Sequence, residues 1–173
     1  MGQILKIGTM KIGLVLAFIA LGFTGWSQER IVFEAEQVSI IPPEGFVEVE
    51  FFTGIFNYSN GASIQLEAVD SIAYVLLAEG YTKENLEPQG VTLVSKENVV
   101  INGMKGVLIT MTFEVTQPNE QTGGEETRVY ERLNLVTGDM NRTIFLSANY
   151  ALIVKDLVYD AIRESLFSAR FEK

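Results

Sequence analysis

Asn102-Gly103, set between two runs that alternate apolar and polar residues, constrains this chain more than any other feature. Gly106 to Val115 puts Val107, Ile109, Met111, Phe113 and Val115 on one side and Leu108, Thr110, Thr112 and Glu114 on the other. That is the period of two required by a pleated strand. Asn and Gly tolerate positive φ, and the turn they form matches strand twist, so Val91 to Ile101 is predicted to pair with Met104 to Val115. Two further runs, Thr127 to Val136 and Arg142 to Ala148, continue the pattern around a turn at Thr137-Gly138-Asp139. The expectation is an antiparallel meander over Val91 to Ser147. Gln117 to Glu126 has no apolar residue and two glycines, and reads as a solvated loop.

The meander needs cover. Beyond Tyr150, Val154, Leu157, Val158, Ala161, Ile162, Ser165 and Leu166 recur at helical spacing, with Lys155, Asp156, Asp160, Arg163 and Glu164 on the other side. This predicts one amphipathic helix, packed on the side of the sheet that carries Val107, Ile109, Met111 and Phe113. Upstream, Gln28 to Gln37 is acidic and weakly alternating, an arm or an edge strand. Pro42-Pro43-Glu44-Gly45 ends the strand that begins at Val38 and turns Phe46 back toward the core. An aromatic stretch, Phe51 to Tyr58, precedes a strand at Ala62 to Val69. Asp70 or Ser71 is placed to cap a short helix that Gly80 stops, and Thr82 to Glu87 adds another helical turn.

The amino terminus looks like an address label. Met1 to Lys11 is basic without acids, Ile12 to Phe23 is continuously apolar or small, and small residues precede Gln28. This predicts a secretory signal peptide over residues 1–27, an acidic arm over 28–37 and a single domain over 38–173. A retained membrane anchor is the competing reading, but the apolar run is shorter than the ~20 residues that a span needs. The expected product is periplasmic or secreted, without a stable membrane span. Its eleven basic and twenty-two acidic residues would disfavour nucleic acid as a partner. No disulfide can form, since the chain has no cysteine.

The absence of histidine as well as cysteine excludes imidazole-based serine triads, thiol nucleophiles and the usual ligands of zinc and copper. Glu34/Glu36, Glu48/Glu50 and Glu125/Glu126 sit at the spacing of solvated faces rather than of a buried acid–base pair. The chain is accordingly expected to be non-enzymatic and to need neither metal nor cofactor. One cluster stands out in so acidic a sequence: Arg128, Tyr130, Arg132 and Asn134 project from one side of their strand. Together with Thr110, Thr112 and Phe145 they are predicted to form a mixed polar and aromatic contact patch. The alternative is that the arginines only pair with local carboxylates such as Glu114.

The order of these features resembles the PsbP-like superfamily, which includes extrinsic photosystem subunits, a eukaryotic Ran-binding factor and exported bacterial proteins of the DcrB type. The likeness rests on Val38 to Phe46 (VSIIPPEGF), Ala62-Ser63-Ile64, Asn102-Gly103 with Gly106, and Ser165-Leu166-Phe167-Ser168. It implies an α+β fold in which an antiparallel sheet of about six strands carries helices on both faces, an α/β/α sandwich. It also implies a non-catalytic binding or assembly role; the chain itself is expected to be a monomer with a protein partner in the envelope or outside the cell. A small-ligand carrier using Phe51 to Tyr58, or a carboxylate-dependent polysaccharide hydrolase, would be the other classes.

Overall fold

A computed structural model describes residues 29–119 and 123–172; the expected signal peptide lies outside them. The strands are β1 (Ile31–Phe33), β2 (Val38–Ile40), β3 (Val47–Glu48), β4 (Gly54–Phe56), β5 (Ser63–Asp70), β6 (Val91–Ile101), β7 (Met104–Pro118), β8 (Glu125–Gly138), β9 (Arg142–Ala151) and β10 (Arg170–Phe171). The helices are α1 (Tyr74–Glu79), α2 (Lys83–Leu86) and α3 (Lys155–Phe167). Seven strands form one antiparallel sheet in the order β3-β4-β5-β9-β8-β7-β6, while β1, β2 and β10 form a small second sheet. The run that begins at Gln28 thus supplies an edge strand, with Phe33 buried.

The hairpin forms where the sequence places it. Asn102 and Gly103 have φ of 49° and 83°, and Ile101 pairs with Met104. Positive φ at both central residues is the condition for a tight two-residue hairpin turn. Asn102 also donates from Nδ2 to the carbonyl of Ala169 at 2.8 Å, which ties the hairpin to the end of α3. The β7 and β8 strands run further than expected, pairing out to Pro118 and Glu125, so the solvated connection is shorter than residues 117–126. The cap expected for the first helix does not form. Asp70 is the last residue of β5 and pairs with Arg142 at 3.1 Å, and α1 begins after Ala73 with no side-chain cap. Thr82 does cap α2, accepting from the Asn85 N–H at 3.3 Å.

Two dry layers sandwich the large sheet. On one face Val158, Ile162 and Leu166 of α3 pack with Leu108, Leu133, Leu135, Leu146, Ala148 and Tyr150. Burying those three helix side chains contributes roughly 5–9 kcal/mol before chain entropy. On the other face Ala78 and Leu86, from α1 and α2, cover Val107, Ile109, Met111 and Val136, with Phe145 partly buried beside them. This inverts the expected assignment, since α3 covers the Leu108 side and the short helices cover the Val107 side. Gly106 to Met111 is almost continuously buried, so alternation divides its residues between two faces without saying which helix reaches either. The buried stripe of α3 is also narrower than the periodicity implies, because Leu157 is 80% exposed.

Candidate functional site

The strand register sorts the predicted patch. Arg128, Tyr130, Arg132 and Asn134 of β8 stand opposite Val115, Phe113, Met111 and Ile109 of β7, and Phe145 of β9 stands opposite Val136. All of these share the face covered by α1 and α2. Thr110 and Thr112 do not join them: they pair with Leu133 and Glu131 on the α3 face, so the seven residues form no single patch. There Tyr150 donates its hydroxyl proton to Glu131 Oε1, and Lys155 Nζ donates to Oε2 at 2.8 Å. Burial and the neighbouring carboxylate raise the Tyr150 pKa well above its usual value.

The two arginines have different surroundings. Arg128 is exposed and forms a two-pronged pair with Glu126, at 2.7 and 3.1 Å; the anticipated partner Glu114 is on the opposite face, across from Val129. Arg132 is half-buried and forms no ion pair among the described residues. Its Nε donates to Asn149 Oδ1 at 2.6 Å, and its guanidinium carbon lies 4.8 Å from the centre of the Phe113 ring. Phe113 in turn stacks on Tyr130, 5.7 Å between centroids and 18° between planes. Burial lowers the Arg132 pKa, but an arginine remains charged at any physiological pH.

Arg132 also borders a cavity of about 490 Å3 between the sheet and the α1–α2 segment. Met111, Phe145, Leu86 and Val91 give it apolar walls, and Tyr81, Asn134 and Ser147 add polar groups. Tyr81 comes from the turn after α1, where nothing in the local sequence marks it as a site residue. Its hydroxyl accepts from Asn134 Nδ2 at 3.2 Å, and burial raises its pKa. Phe51 and Phe52 of the aromatic stretch line a second hollow of about 480 Å3, but Glu34, Glu36, Glu48 and Glu50 share its lining and no basic residue among the described ones does. Phe51, Phe52, Phe56 and Tyr58 meet edge to face at 4.9–6.2 Å, with Phe51 and Tyr58 exposed.

No protein-family model matches the sequence, and no curated protein sequence matches it. Solved structures do. The cyanobacterial PsbP protein CyanoP from Synechocystis sp. PCC 6803 aligns over 87% of this chain and 98% of its own, at 16% identity and a TM-score of 0.50. The fold is PsbP-like. LpqN of Mycobacterium tuberculosis, described as involved in cell envelope biogenesis, aligns over 84% of this chain and 90% of its own, at 10% identity and a TM-score of 0.56. The shared feature is an antiparallel sheet with helices on its faces, as expected from Val38 to Phe46 and Asn102-Gly103. At these identities the likeness reaches the scaffold and no side chain of the site. Among the described residues no helix is long and apolar enough to cross a membrane, and no group of three or more carboxylates is placed to hold a metal ion.

Proposed function

We propose that this is a non-catalytic accessory protein, exported to the periplasm or beyond the cell, that docks a protein partner on the Phe113, Tyr130 and Arg132 surface. The observation that carries this reading is the cation on a stacked aromatic pair, with no carboxylate among the described residues to neutralise it. A guanidinium held over a ring is a common anchor in protein interfaces, and it gains strength when a partner excludes water from it. The PsbP-like scaffold supports an accessory role by analogy, LpqN being tied to envelope biogenesis. Arg128, neutralised by Glu126, lies at the rim.

Site-specific photocrosslinking in the native host tests the proposal. A crosslinker at Tyr130 should capture one discrete envelope or secreted partner, while the same group at exposed Val100 on β6 should not, and Arg132→Glu should abolish the Tyr130 adduct. Equal capture from Tyr130 and Val100, or an adduct indifferent to Arg132→Glu, refutes the docking surface.

A further inference from the structure

The geometry points to a second use of Arg132: the cavity beneath α1 and α2 is a binding site for a small monocarboxylate with an apolar body. Its charge pattern is unlike the rest of the chain. Acids outnumber bases 22 to 13 overall, yet among the described residues the cavity lining contains Arg132 and no Asp or Glu. Glu67, beside Phe145 in the register, stays outside it. Arg132 is therefore the charged group among the described lining residues, and at contact distance it favours an anion over a cation.

Hydrogen-bond donors point to the same ligand. Nε of Arg132 is committed to Asn149, which leaves the two terminal nitrogens as a fork that fits a carboxylate. The Tyr81 hydroxyl accepts from Asn134, so its own proton remains available to an acceptor. Ser147 adds a second hydroxyl to the lining. The opposing walls, Met111, Phe145, Leu86 and Val91, take an apolar body, and the volume falls within the roughly 300–1,000 Å3 of small-molecule sites. One cation suits a monoanion better than a phosphate dianion, whose second charge would remain buried and unpaired.

Amide NMR titration of the protein tests this with four probes: 3-phenylpropionate, its neutral amide 3-phenylpropanamide, octanoate and inorganic phosphate. At least one of the two acids should shift the Tyr81, Arg132 and Ser147 amides saturably, and the better acid reports whether the body is aryl or alkyl. Arg132→Gln should weaken that acid at least about tenfold by loss of the ion pair, and Tyr81→Phe about tenfold by loss of one hydrogen bond to the charged carboxylate. Each variant is first shown by its spectrum to keep the wild-type fold. The proposal is overturned if the amide binds as well as the acid, if phosphate binds better than both acids, or if Arg132→Gln and Tyr81→Phe bind like wild type. Absence of saturable shifts up to about 10 mM acid overturns it as well. Tyr81 lines the cavity and Tyr130 does not, so acid affinity in Tyr81→Phe and crosslinking at Tyr130 separate failure of this site from failure of the docking surface.

Discussion

Glu131 is only 3% exposed and holds two groups at once, the Tyr150 hydroxyl and Lys155 Nζ. Replacing it with alanine should be costly for a reason that lies mostly with Tyr150. Lys155 is 39% exposed and can turn to water, so its ion pair contributes little by itself. Tyr150 is fully buried, and in Glu131→Ala its hydroxyl has lost its acceptor. An orphaned buried hydroxyl costs about 1–3 kcal/mol, and the lost side-chain volume brings the total to about 3–4 kcal/mol. A domain with 5–15 kcal/mol of stability would still fold. Tyr150→Phe alone leaves Glu131 with Lys155 only and should cost about 1.5–3 kcal/mol. In the Glu131→Ala background the same change removes the orphan and should cost close to nothing. Urea denaturation of the four proteins closes a double-mutant cycle with an expected coupling of roughly 2 kcal/mol. Coupling below about 0.5 kcal/mol would mean that the pair is not energetically joined, and the reasoning fails.

Three further outcomes follow from the same structure. Ile162→Ala should cost about 2–5 kcal/mol while Leu157→Ser stays within about 0.5, compared by urea midpoints, because Ile162 is buried and Leu157 is exposed. Gly138→Ala should destabilise by about 1–3 kcal/mol from the backbone alone and lower the melting temperature, since its φ is +145° and an added Cβ would lie 2.2 Å from the Arg142 carbonyl oxygen. Stability should fall as pH rises above about 10: Tyr150 keeps its proton in the folded state while the unfolded chain releases it, so alkali favours unfolding, and Tyr150→Phe should flatten alkaline melts.

Much of this fold is legible because strands and tight turns are local. Asn102-Gly103 needs only its own φ values, and the strands on either side need only a period of two. The closing helix is legible as a helix, but its angular setting is not. A stripe through Val158, Ile162, Ser165 and Leu166 differs from one that includes Leu157 by a single 100° step, and only the sheet beneath chooses between them. Glu131 shows the same limit. By alternation it belongs with Val129 and Leu133, and its burial depends on Tyr150, directly across the ladder in β9, and on Lys155 at the start of α3.

The patch failed in one half and sharpened in the other for a related reason. Side-chain period assigns each strand two faces, but joining a face of β7 to a face of β8 requires the register, and a shift of one residue exchanges every side chain. Pairing Met111 with Arg132 sends Thr110 and Thr112 to the α3 side, and it also puts Glu114 out of reach. The neighbours left to Arg132 in the ladder are Met111 and Asn149, neither of them acidic. With acids outnumbering bases 22 to 13, an arginine at a random surface position would readily meet a carboxylate. The register withholds one from Arg132, then sets its guanidinium over Phe113 at the mouth of a cavity with no acid among its described lining residues. A partner's carboxylate at that surface and a small acid in that cavity would compete for the same charge, so saturating amounts of whichever acid binds, 3-phenylpropionate or octanoate, should reduce crosslinking from Tyr130.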